Sequence, residues 1–152
     1  MRKWLNTEFY NRAFNDLEKN LVKITHCEDN GEDCESTDDR IFLLSVSEAS
    51  KFTGKNSDYS LGARRRAIGT DFSKIKENTG CKLYEYNGKQ EYNYINENNE
   101  EFGCSWWWLR IQGNNSSRAY FIGTNDSIRS YAQVDLPQYG VRPAFKLDLQ
   151  EK

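Results

Sequence analysis

The chain has 152 residues, 29% of them charged, with a formal net charge of -2, four tryptophans, nine tyrosines and four cysteines. A single domain of this length buries roughly 68–70% of its unfolded surface. A charge so near zero provides no basic field for nucleic acid or an anionic bilayer, so neither is expected as a partner.

No run approaches the roughly 20 apolar residues of a membrane span. Met1-Arg2-Lys3-Trp4 opens the chain without the apolar segment of a signal peptide. The default expectation is therefore the cytoplasm, with an exported parent polypeptide as the alternative. Cys27, Cys34, Cys81 and Cys104 are then expected as thiols, whereas an exported parent would favour a Cys27–Cys34 disulfide. Zinc is not expected: His26 adjoins Cys27, but Cys27 and Cys34 lack the close spacing of structural zinc ligands.

Residues 2–20 place Trp4, Leu5, Phe9, Phe14 and Leu17 at helical spacing. Cap signals at Asn6-Thr7 and Asn15-Asp16 divide the segment into two or three short helical pieces. Residues 21–25 read as a short strand. Residues 26–39 carry seven carboxylates and read as a solvated acidic insertion, because Asp29-Asn30-Gly31 lacks the alternating ligands of a calcium loop. Arg40 to Ser45 has the length of a buried strand, and Ser45 or Ser47 can cap a short helix through Glu48. Thr70 starts a further short helix that Gly80 can close. Asn87-Gly88 between alternating arms predicts a hairpin over 81–95, followed by a polar loop to Gly103.

Trp106-Trp107-Trp108-Leu109-Arg110 holds too much apolar surface to leave in water, each indole burying on the order of 150–250 Å². On a strand Trp106 and Trp108 share one face and Trp107 takes the other, so both faces need cover and a central position is expected. Strands follow at 118–122 and 128–134, with turns between. Val141 to Leu149 alternates apolar with Arg142, Lys146 and Asp148, the period of a strand with one face in the core; Pro143 marks a bulge or an unpaired edge position. Helices ahead of antiparallel strands give an α+β class.

Trp4-Leu5-Asn6, Arg40-Ile41-Phe42-Leu43-Leu44-Ser45, Trp107-Trp108-Leu109-Arg110 and Gly140-Val141-Arg142-Pro143-Ala144 occur in that order. In this the chain resembles the bacterial domain-of-unknown-function family six-two-seven-three. The family is similar to the C-type-lectin-like fold of formylglycine-generating enzymes and retroelement variable proteins. The resemblance implies one domain over 1–152, with short N-terminal helices packed on a twisted antiparallel sheet and a C-terminal hairpin cluster. Trp4, Trp107, Trp108, Arg110 and Arg142 are its structural signature. Members usually begin with one or two strands ahead of the Trp-Leu-Asn helix, which implies either a fragment or trimmed gene or a sheet without its first strands.

Formylglycine-type chemistry needs a copper-binding thiol pair, for which Cys81 and Cys104 are the candidates, outside the relatives' C-terminal motif. Leu136-Pro137-Gln138 and Thr124-Asn125-Asp126 lack the pattern of calcium-mediated sugar binding. A lone His26 serves no two-histidine site, and no phosphate loop, nucleophile elbow or zinc-protease motif is present. No metal and no cofactor are expected. The expectation is a non-catalytic recognition module for a glycan, peptide or protein. A degenerate oxidoreductase and a purely structural accessory domain are the alternatives. The loops would present Asn114, Asn115, Arg118, Asn125, Arg129, Tyr131 and Tyr139, residue types suited to adaptable polar contacts with aromatic anchors. Arg110 and Arg142, each inside an apolar run, are expected to need structural partners.

Overall fold

A computed structural model describes residues 1–52, 65–74, 93–95, 101–124 and 126–149. The Asn87-Gly88 turn, the first arm of its hairpin, Gly80, Cys81 and Asn125 lie outside the described residues. Short helices and antiparallel sheets make up the rest, an α and β mixture as expected.

The N-terminus is a continuous helical run: α1 (Arg2–Trp4), a wider π turn (Leu5–Phe9) and α2 (Tyr10–Ala13). Phe14 is extended and ends it. Asn15 then caps α3 (Asp16–Leu21) with a full capping box, its side chain accepting from Glu18 N–H while Glu18 accepts from Asn15 N–H. Asn6, expected as a cap, instead lies inside the first run and turns its amide toward residues 39–41.

The acidic segment is not a free insertion. β2 (Thr25–Cys27) and β3 (Thr37–Asp39) close it as an antiparallel hairpin, and Asp39 is buried. β1 (Val22–Lys23) pairs instead with β9 (Lys146–Leu147) near the C-terminus. Residues 40–45 are largely buried as expected but form no strand. Their backbone makes a single bridge, Phe42 to Ala144, before Ser45 caps α4 (Val46–Ser50) with a second capping box through Glu48. α5 (Asp71–Lys74) begins after Thr70 as its cap chemistry implies, with Ser73 N–H donating to the Thr70 hydroxyl. β4 (Asn93–Ile95) pairs with β5 (Glu101–Gly103), so the end of the expected polar loop is strand.

β6 (Trp107–Gln112), β7 (Arg118–Ile122) and β8 (Ile128–Gln133) form a three-stranded antiparallel meander. Gly113 starts the first turn, where a Cβ would lie 2.3 Å from Ser130 O, so only glycine fits. Trp108 stands opposite Phe121 and Trp107 opposite Ile122. As the period-two reading requires, the tryptophans divide between two cores. Trp108 joins Leu5, Val22, Ile41, Leu43 and Phe121 on one face; Trp107 joins Ala49, Leu109 and Ile122 on the other. Burying each such large side chain contributes roughly 1.5–3 kcal/mol.

β6 is an edge of this sheet and not its centre, yet its outward amides are engaged. The amides of Trp108, Arg110 and Gln112 donate to the carbonyls of Gly140, Leu44 and Asn30 at 3.0, 3.0 and 3.2 Å. Three irregular segments thus take the place of a fourth strand and meet the rule that buried backbone groups find partners.

The C-terminal alternation is the clearest departure. Val141 to Phe145 is not a strand, and Val141, Phe145, Leu147 and Leu149 are 40–74% exposed. The pattern is present, but among the described residues little covers its apolar side beyond Phe14, edge-on to Phe145 at 5.0 Å.

Candidate functional site

A cavity of about 530 Å³ opens between the N-terminal helical run, the acidic hairpin and the face of β6 that carries Trp108. Leu5, Ile41, Leu43, Trp108 and Ala119 supply its apolar wall, and Cys34, Glu35 and Val134 stand at its mouth. Its size falls in the roughly 300–1,000 Å³ range of small-molecule sites.

Two polar knots frame it. In the first, Arg2 Nε donates to both Asp39 carboxylate oxygens at 2.8 and 2.9 Å, and Thr37 Oγ1 and Asn6 Nδ2 also donate to that carboxylate. The carboxylate raises the Arg2 guanidinium pKa above its ordinary value. In the second, Arg110 follows Trp108 along β6 and points its guanidinium at the loop. Nη1 donates to Glu48 and to Leu43 O at 2.9 Å, and Nε donates to Asn30 Oδ1 at 3.1 Å. Glu48 also accepts from Ser45 N–H, so one carboxylate serves the capping box and the strand together. Burial pushes the Glu48 carboxyl up, but hydrogen bonds from Arg110 and Ser45, with the charges of Arg110 and Lys146, outweigh it and hold the pKa below the ordinary range. Arg110 is thus structurally paired, as its place in an apolar strand implies.

Gly31 lets the acidic hairpin lie against β6. Its φ is +124°, and a Cβ there would sit 3.0 Å from Gln112 Cβ. Asn30 and Asp39 were absent from the sequence-derived candidates. Their signal is weak, since each lies in a polar run and meets partners more than 30 positions away.

Among the described residues, those nominated from sequence as contacts are spread over separate places in the fold. Asn114 and Asn115 belong to the β6–β7 turn, where Asn115 Oδ1 accepts from the amide and hydroxyl of Ser117, and Arg118 opens β7. Arg129 is near the opposite end of β7, donating to Ser127 Oγ and Tyr131 Oη; Tyr131 is 48% exposed. About 13 Å of strand separates the two turns. Tyr139 is not a loop contact but a core ring, stacked on Trp108 with centroids 4.3 Å apart. Of the structural signature, Trp107 is buried and donates through Nε1 to Arg65 O at 2.9 Å. Trp4 is 44% exposed, and Leu5 enters the core in its place. Arg142 is exposed as well, 5.1 Å from the Trp107 ring centroid and not buried in a strand.

A family model described as "Domain of unknown function (DUF6273)" matches residues 1–149. The chain belongs to that family. No curated protein and no solved structure matches this DUF6273 chain.

The family name assigns no chemistry, and the two buried thiols among the described residues are not activated. Cys27, Cys34 and Cys104 are free. Burial raises the pKa of both Cys27 and Cys104, opposite to what a nucleophile or metal ligand requires. In a Cys81→Ser background, Cys34 is expected to react with a disulfide reagent at once, Cys27 and Cys104 only as the chain unfolds. Site-resolved mass spectrometry checks this, and equal native-state rates would contradict the burial.

His26 faces Asp38 across the hairpin, Nδ1 to Oδ1 at 2.7 Å. The hydrogen bond to Asp38 raises its pKa above the ordinary value. The imidazolium form therefore favours the fold fully below the unfolded-state pKa, and this contribution fades as pH rises through the folded value. An NMR titration should give a His26 midpoint above the ordinary 6.5 and a lower one in Asp38→Asn. An unchanged midpoint would mean the pair does not form.

Proposed function

We propose that this chain is a non-catalytic recognition module of C-type-lectin-like architecture, whose target inserts into the cavity beside Trp108. One observation carries the reading. The cavity wall is apolar, while the charged groups that frame it, Arg2 with Asp39 and Arg110 with Glu48, are already bonded to each other. Such a site offers shape and apolar area rather than a poised acid, base or nucleophile. The lectin-like assignment draws support from the helical run packed on the sheet and from the tryptophan strand meeting Gly140 through two backbone hydrogen bonds.

Peptide and glycan arrays probed in EDTA with wild-type protein and Ala119→Leu test the proposal. Ala119 lines the cavity, so the larger side chain is expected to abolish array binding. Binding undiminished by a folded Ala119→Leu, or none by the wild type, would overturn it.

A further inference from the structure

We infer that the cavity takes a bulky apolar side chain presented by a basic segment of a partner protein. The inference rests on the recognition reading and names its partner class. The deep wall is apolar, and its framing charges are neutralised within the fold, so the interior selects for an apolar anchor. The mouth is different. Glu32, Asp33 and Glu35 are exposed around Cys34, and no Lys or Arg among the described residues pairs with them. Glu35 and Cys34 line the opening itself. Val134, from the segment after β8, also lines the cavity and is exposed, and the exposed Asp135 follows it. Both exposed segments that line the cavity therefore carry carboxylates, and the two guanidiniums that line it, Arg2 and Arg110, are tied to Asp39 and Glu48. An apolar anchor flanked by Lys or Arg satisfies pocket and rim together, the rim charges setting partner choice and encounter rate.

The probes are capped pentapeptides with a central para-fluorophenylalanine flanked by lysines, serines or glutamates, and a fourth with lysines around alanine. Binding is followed by fluorine NMR of the anchored peptides, with protein amide shifts for the alanine one. The lysine peptide is expected to bind about tenfold more tightly than the glutamate peptide at low salt, with serine between. That spread should collapse at 1 M salt, where the Debye length is roughly 3 Å. The alanine peptide should lose binding, and Val134→Trp, at an exposed mouth position, should weaken all anchored peptides. The quadruple change Glu32→Gln, Asp33→Asn, Glu35→Gln, Asp135→Asn should erase the charge preference and keep the serine peptide. Equal affinity for the three anchored peptides would overturn the inference and leave the recognition reading standing. No binding of any peptide by folded protein would overturn both.

Discussion

Replacing Arg110 with alanine is expected to lower stability by about 2–4 kcal/mol, somewhat less than the roughly 3–5 kcal/mol of a fully buried ion pair because this one is only partly buried. The Arg110 side chain is 12% exposed and that of Glu48 27%. Truncation leaves Glu48 facing a poorly solvated site, and Leu43 O and Asn30 Oδ1 each lose a donor. Lysine should recover only part of the loss, since one ammonium cannot reproduce the planar fork that reaches all three acceptors. The same contact sets an acid limb. Because the folded Glu48 pKa is depressed, its contribution is complete above the unfolded-state value and is lost as pH falls through the folded one. Urea unfolding from neutral to acidic pH should show this limb in wild type and a flatter one in Arg110→Ala. A mutant that melts like the wild type would show that the guanidinium is not structurally required.

The parts of this fold that sequence discloses are those decided within a few residues. Asn15 with Glu18 and Ser45 with Glu48 are capping boxes readable from spacing, and both form. Alternation divided Trp106 and Trp108 from Trp107, and strand geometry carries that division to two cores. Legibility stops where a partner is distant. Residues 40–45 have the composition of a strand, but their backbone is claimed piecewise by Ala144 and Arg110, so no ladder develops. Asp39 and Asn30 sit in a run whose composition reads as solvated. Their burial depends on Arg2, Asn6 and Arg110, which folding brings from elsewhere.

The candidate site was obscured by the same cause. The Asn, Arg and Tyr nominated from the turns are spread out because an antiparallel meander sends successive turns to opposite ends of the sheet. The cavity draws instead on Leu5, Ile41, Trp108 and Ala119, apolar residues individually indistinguishable in sequence from ordinary core. Only the docking of the acidic hairpin against β6 turns them into the wall of an opening.

That docking makes Asn6 the other position of large expected effect. Its Oδ1 accepts from the amides of Arg40 and Ile41 at 2.8 and 3.1 Å, and its Nδ2 donates to Ile41 O and Asp39 Oδ1 at 2.9 Å each. Ile41 is fully buried. Asn6→Ala would therefore strand both polar groups of its backbone, at about 1–3 kcal/mol each, so a loss of roughly 2–5 kcal/mol is expected. Aspartate is the sharper test. It keeps the acceptor for the two amides but replaces the donor with a second negative charge beside Asp39 and the Ile41 carbonyl. Asn6→Asp should thus be destabilised at neutral pH and regain stability as acid protonates the new carboxyl, opposite to the trend expected from Glu48. Denaturation of both variants across that pH range checks the assignment. If Asn6→Asp matches the wild type at pH 7, Asn6 does not hold the N-terminal helical run to the wall of the cavity.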